Sequence, residues 1–182
     1  MIFKTKRLVL RHWKERDAFS LFQYAKDADV GPRAGWMPHQ SVEESLDVIR
    51  NIFNGKECYA ICEINSDEPI GLVELKLNGH TDKTQRDDEC EHGYWLGKPY
   101  WGRGYMPEAV TELIHHAFED LNMETIWCGY YDGNHKSKRV QEKCGFVYHH
   151  SCQISVSLLH EVRTEHVNYL SQTSWQKKYK GK

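Results

Sequence analysis

The sequence predicts a mixed α/β (α+β) fold, a β-sheet flanked by helices, on three observations. Short runs rich in apolar and aromatic residues at 5–11, 58–64, 70–77, 90–96 and 125–131 have the length and patterning of strands. Val110, Leu113, Ile114, Ala117, Phe118 and Leu121 recur at i, i+3, i+4 spacing and mark a long amphipathic helix among them. Two further strand-like runs, 146–157 and 161–170, close the chain and argue against a helix bundle. The 182 residues carry no repeat, low-complexity stretch or linker. At ~150 residues per domain they predict a single domain spanning 1–182.

Each element has a local cause. In 5–11, Leu8 and Leu10 share one face of a strand. Ala18, Leu21, Phe22 and Ala25 repeat at helical spacing behind Asp17. Two Gly and two Pro in 31–40 predict a loop. Ser41 and Glu44 form a capping box, and Leu46, Ile49, Ile52 and Phe53 are the stripe of the helix it starts. Runs 58–64 and 70–77 pair as a hairpin, and the polar stretch 78–88 reads as a mobile loop. After strand 90–96 comes a glycine-bearing turn feeding the long helix, with Pro107 suited to its first turn. A short helix ends at Gly145 in the C-cap position. The lysine-rich tail QKKYKGK reads as a frayed, solvated end.

Composition excludes several classes. The 24 basic and 26 acidic side chains leave a formal charge of -2, so no global field draws nucleic acid or an anionic membrane. Mean hydropathy is -0.72 and no apolar run approaches the ~20 residues of a membrane span. Cysteines 58, 62, 90, 128, 144 and 152 follow neither a C-x-x-C nor a secreted-scaffold spacing, and read as reduced, mostly buried thiols of a cytoplasmic protein. His115-His116 and His149-His150 are adjacent pairs whose side chains diverge on a regular element, so no metal site is expected.

The segment that carries chemistry is strand 90–96 followed by Trp101-Gly102-Arg103-Gly104-Tyr105-Met106 and a helix. Two glycines one residue apart let backbone amides converge, and the helix N-terminus adds partial positive charge. That suits a phosphate or pyrophosphate, with Arg103 able to add a charge-assisted contact; an ordinary strand-to-helix turn remains open on this motif alone. No Lys-Ser or Lys-Thr follows, as a P-loop requires, and Pro107 stands where a dinucleotide fingerprint needs its third glycine.

Together with three other motifs, this turn resembles the GNAT superfamily of acyl-CoA-dependent N-acetyltransferases, and more closely its ribosomal-protein N-terminal acetyltransferase branch. The branch's opening T-x-R-L-x-L-R is matched by Thr5, Arg7, Leu8, Leu10 and Arg11, with Asp17 beyond. Its strand motif is matched by Glu91, Gly93, Tyr94, Trp95 and Leu96. The turn is matched by Tyr100, Trp101, Gly102, Gly104, Tyr105, Glu108 and Ala109, and the last motif by Asn134, Ser137, Arg139, Val140, Glu142, Lys143, Gly145 and Phe146. Three positions depart. Trp101 stands where the broad superfamily has Gln or Arg, as is usual in this branch. Met106 replaces a small residue, which implies a turn tightened or shifted against the cofactor. Gln141 stands where many members place the tyrosine that protonates the leaving thiolate.

The resemblance implies a GNAT-like mixed, centrally splayed sheet and direct attack of a primary amine on the thioester of acetyl-CoA. The amine belongs to a protein N-terminus or a small molecule. The pantetheine would run along Trp95 and Leu96, the pyrophosphate on the amides of Gly102 to Met106, and Asn134 would touch the pantetheine arm from the other side. Lys136, Lys138 and Arg139 are either contacts for CoA phosphates or a solvated helix face. An amine is mostly ammonium at neutral pH, so a base must take its proton, and the thiolate needs a donor. Glu91 is the expected base, ahead of Glu74 and Glu161, and Ser137 the expected donor to sulfur. Trp36 and His39 would wall the acceptor side. A catalytically silent acyl-CoA-binding sensor is the alternative reading, and an open sheet edge near the C-terminus leaves a homodimer open.

Overall fold

The computed structural model describes residues 1–179. Eight strands form one sheet in the order β1-β2-β3-β4-β5-β6-β8-β7. They are β1 (Ile2–Lys4), β2 (Leu8–Arg11), β3 (Cys58–Glu63), β4 (Pro69–Leu77), β5 (Glu89–Leu96), β6 (Thr125–Tyr131), β7 (Val147–Val156) and β8 (Glu161–Ser171). Every pairing is antiparallel except β5 with β6. The strand expected at 5–11 thus begins only at Leu8, residues 5–7 forming the turn that joins it to a further strand at 2–4. Thr5 and Arg7 leave the ladder because both bind the Glu108 carboxylate, at 2.6 and 2.7 Å.

The helices are α1 (Ala18–Ala25), α2 (Gly31–Ala34), α3 (Val42–Asn51), α4 (Tyr105–Glu119), α5 (His135–Cys144) and α6 (Gln172–Tyr179). Two cores result, one on each face of the sheet. Val110, Leu113, Ile114, Ala117 and Phe118 of α4 are at most 3% exposed and pack with Leu8, Ile61, Val73 and Ile126. Burying each of these larger aliphatic or aromatic chains contributes about 1.5–3 kcal/mol. The other face holds Leu21 and Ala25 of α1, Ile49 of α3, Trp13 and Trp95.

Local signals held where local chemistry decides. Ser41 Oγ accepts the Glu44 amide at 3.1 Å, and Glu44 reaches back to the Gln40 amide at 2.6 Å, one residue beyond the expected box. Several expectations are corrected. Residues 31–34, expected as loop, form the single turn α2, with Pro32 at its start and Gly35 closing it at φ 96°. Ile52 lies past the end of α3 and is 63% exposed, whereas Phe53 packs on Trp13. The tail is not frayed through 179: α6 docks by Trp175, 1% exposed, against Phe118 and His115. Residues 180–182 of that tail lie outside the described residues. All six cysteines are free thiols, five of them buried.

Candidate active site

β5 and β6 pair only at Glu89–Thr125, Cys90–Ile126 and Glu91–Trp127. Beyond these residues β5 stays paired with β4 as far as Leu96, and β6 with β8 as far as Tyr131, so the two strands separate. Side chains fill the gap where ladder bonds would run. The Cys128 thiol donates to the His92 carbonyl at 3.2 Å, and Gln141 Nε2 donates to the Gly129 carbonyl at 3.0 Å. Both carbonyls are thereby satisfied without a strand partner. A cleft of about 1090 Å³ occupies this splay and reaches Glu91, Trp95, Gly104, Ser137 and Glu165.

The turn after β5 lies along one part of the cleft. Gly102 and Gly104 both sit at φ 78°, a left-handed conformation that a Cβ would strain. Among the described residues, the amides of Gly102, Arg103, Gly104, Tyr105 and Met106 donate to no backbone carbonyl. They stand at the N-terminus of the 15-residue α4, a fit for an anion. The opening motif explains itself here. Arg7 ties Glu108 of α4 to its own amide and guanidinium, donates to the Arg103 carbonyl at 2.9 Å, and lies 4.6 Å over the Tyr105 ring. Met106 points into the core and is 6% exposed, so its bulk is absorbed there. Arg103 is exposed over Tyr100, and Lys136 lies 4.0 Å over Trp101, whose indole donates to the Leu96 carbonyl at 2.7 Å. Lys136 and Arg139 line the cleft, whereas Lys138 turns to Glu142 at 3.9 Å.

Period-two alternation of β5 divides the rest of the site between the two faces of the sheet. Glu91, Gly93 and Trp95 share the face of α1 and α3. Here Glu91 is held by the Thr81 hydroxyl and by Lys83 at 3.3 Å, and Lys83 also binds Glu165 at 3.2 Å. Glu74 lies across from Gly93 and pairs with Lys76 at 3.6 Å. Two glycines make room for the carboxylates: a Cβ on Gly93 would stand 2.7 Å from Glu74 Oε1, and one on Gly129 only 2.1 Å from Glu165 Oε1. Burial pushes the Glu74 and Glu165 carboxyls above the usual carboxylate range. Burial would lower the Lys83 ammonium, but Glu91, Glu165 and Asp82 outweigh it and hold it above its ordinary value.

Trp36 and His39 belong to the same wall. Trp36 meets Trp95 edge-on at 6.0 Å and His39 at 5.2 Å, while His39 Nδ1 bonds Ser45 Oγ at 2.7 Å. Burial lowers the His39 imidazole, favouring its neutral form.

His92 and Tyr94 point to the opposite face, toward α4 and α5. Burial brings His92 down to about 4. Asn134 caps α5, its Oδ1 accepting the Ser137 amide at 3.2 Å while its Nδ2 donates to the Arg33 carbonyl at 3.3 Å. Its side chain is therefore already engaged within the chain. Ser137 Oγ lies 2.8 Å from the Tyr94 hydroxyl.

Sequence reasoning missed Lys83, Glu165 and Tyr94. Lys83 lies in the stretch expected to be mobile, yet its side chain is only 13% exposed because two carboxylates hold it. Glu161 is exposed on Arg163 and stays out of the cleft. Elsewhere, His116 is sandwiched between Glu57 and Asp120, at 3.0 and 2.7 Å. His149 and His150 do not diverge, since a bulge at Tyr148/His150 brings their Nδ1 atoms to 2.7 Å.

Comparison with known proteins agrees with this geometry. Residues 7–147 match the acetyltransferase (GNAT) domain family. The chain is 33% identical over 127 residues to the uncharacterized N-acetyltransferase p20 of Bacillus licheniformis, covering 67% of this chain and 68% of that protein. The fold superposes with a TM-score of 0.82 on a GNAT-family acetyltransferase from Bacillus anthracis, at 19% identity over 95% of this chain and 99% of that one. A ribosomal-protein-S5-alanine acetyltransferase from Vibrio fischeri gives a TM-score of 0.72 at 21% identity, over 96% and 98% of the two chains. The chain belongs to the GNAT acetyltransferase family and is an N-acetyltransferase.

Proposed function

We propose that this enzyme transfers the acetyl group of acetyl-CoA to a primary amine by direct attack within the β5/β6 splay. The observation that carries the reading is the division of the cleft: anion-ready amides at the turn, carboxylates on one sheet face, a hydroxyl on the other. The pyrophosphate rests on the amides of Gly102 to Met106 with Arg103 and Lys136 nearby, and the pantetheine follows the main chain of Trp95 and Leu96.

The acceptor enters from the face of Trp36, His39 and Trp95. Three carboxylates there, Glu74, Glu91 and Glu165, face two ammonium groups, Lys76 and Lys83. This excess of negative charge favours an acceptor arriving as ammonium. Glu91, 3.3 Å from the Lys83 ammonium, takes the proton directly or through water, and the neutral amine then attacks the thioester carbon. The tetrahedral intermediate collapses with loss of the CoA thiolate, to which Ser137 donates from the opposite face. A second assignment of the base, to Glu165, is favoured by its raised proton affinity on the same lysine.

The acceptor is a protein N-terminus or a small-molecule amine. The test is a screen of amines and N-terminal peptides with acetyl-CoA, read by product mass and thiol release together. Mass gain of one acetyl group on a primary amine, with one thiol released per product, is expected. Tight acetyl-CoA binding without transfer to any acceptor would overturn the reading in favour of an acyl-CoA sensor.

A further inference from the structure

Ser137 stands at the end of a buried polar chain whose members no step above uses. Its Oγ is 2.8 Å from the Tyr94 hydroxyl and 3.3 Å from Gln141 Nε2. Gln141 Nε2 also donates to the Gly129 carbonyl at 3.0 Å, and Asn168 Nδ2 donates to Gln141 Oε1 at 2.8 Å. Gln141 is 0% and Asn168 4% exposed.

One fixed point sets the polarity of the chain. A backbone carbonyl only accepts, so the Gln141 atom facing Gly129 is its NH2 group. Its oxygen therefore faces Asn168, which must present NH2 in turn. The second hydrogen of the Gln141 amide points at Ser137 Oγ, making the serine an acceptor there. Burial holds the Tyr94 phenol neutral, well above its usual range, so it keeps a proton to donate. Its acceptors in reach are Ser137 Oγ at 2.8 Å, the Ser137 carbonyl at 3.3 Å and the Cys128 sulfur, a weak acceptor; Ser137 Oγ is the nearest oxygen.

We infer that Gln141, anchored by Gly129 and Asn168, and Tyr94 are positioning residues that occupy both acceptor sites of the Ser137 hydroxyl and so turn its one proton toward the departing sulfur. The inference rests on the acetyl-transfer reading above, in which Ser137 faces the thiolate. A hydroxyl has two lone pairs and one proton. With both lone pairs taken from inside the protein, the remaining direction is the cleft that Ser137 lines. No proton need leave Ser137: its O–H stabilises the thiolate, which is later protonated by water.

The thiol of bound CoA reads this without turnover, by following thiolate absorbance against pH in the CoA complex. The wild-type complex should ionise at lower pH than free CoA, and Ser137→Ala should remove that advantage. Gln141→Glu keeps the size of the side chain; as a buried acid it donates to Gly129 and accepts from Asn168, and it no longer donates to Ser137. Tyr94→Phe removes the other donor and guards against misfolding of the first variant. Each should make the bound thiol about fivefold harder to ionise, the worth of one hydrogen bond. In a Ser137→Ala background neither should have any effect. Wild-type titration in both variants, or a shift that persists without Ser137, would overturn the inference. Failure of the acetyl-transfer reading looks different: no amine is acetylated, while the bound thiol still titrates low through Ser137.

Discussion

Replacing Glu91 by Gln retains the side chain's size and its contact with Thr81 while removing the proton acceptor. Lys83 keeps Glu165 at 3.2 Å, so no buried ammonium is stranded and the fold should hold. The loss should fall on turnover. A positioned general base is worth ~10²–10⁴ in rate, so kcat should drop by that factor. The KM for acetyl-CoA should move little, because the turn proposed to hold the pyrophosphate lies beyond the end of β5, and that end at Leu96 is already about 16 Å along the strand from Glu91 at ~3.3 Å per residue. Thiol release at saturating acceptor, measured from neutral to alkaline pH, checks both numbers. The deficit should shrink as pH rises, since more of the acceptor is then already neutral. Glu165→Gln is the necessary companion, because Glu165 shares the same lysine and burial raises its proton affinity. Wild-type turnover in Glu91→Gln would refute the assignment, and a deficit confined to Glu165→Gln would move the base to that residue.

Three other outcomes follow from the geometry. Acetyl-CoA at 100 times its Kd should stabilise the protein by about 2.7 kcal/mol, and Gly104→Asp should abolish this by setting a carboxylate and a strained φ at the anion turn; thermal shift checks it, with ATP as the negative control. His92 is neutral in the fold down to about 4, whereas in the unfolded chain it protonates near 6.5. The unfolded state therefore binds more protons between those values, and stability is present above pH 6.5 and lost as pH falls toward 4, by about 3 kcal/mol. Urea titrations across that range should show the loss, and His92→Leu should flatten it. Trp175→Ala should cost about 3–5 kcal/mol by leaving a cavity against Phe118, seen as a lower urea midpoint.

What was legible in the sequence is what neighbouring residues decide. The α4 stripe from Val110 to Phe118, the Ser41 cap and the glycines of the turn are local, and each is recovered in place; Leu121, the last residue expected on that stripe, lies just past the helix end but still packs against the core. Partners brought from afar were not legible. Lys83 belongs to a polar stretch whose order comes from Glu91 and Glu165, eight and 82 positions away in sequence. Trp175 gives α6 its single deep anchor, which no periodicity announces in so polar a segment. Glu161 and Glu165 share strand parity, yet only Glu165 lies where β8 backs the splay; Glu161 starts the arm that β7 and β8 extend beyond it.

One stronger signal was present in β5 itself. Glu91, Gly93 and Trp95 must share a face, and His92 and Tyr94 the other, because side chains alternate along a strand. Direct transfer needs a proton acceptor on the side where the amine arrives and a donor on the side where sulfur departs. In the proposed mechanism the strand's parity would supply both at once, since it sends Glu91 to the face of Trp36 and Trp95 and Tyr94 to Ser137. Parity also accounts for Gly93, since any side chain there would fill the space taken by the Glu74 carboxylate. The separation of β5 from β6 then opens the sheet between those two faces, and on the proposed mechanism that opening would let one strand serve both halves of the reaction.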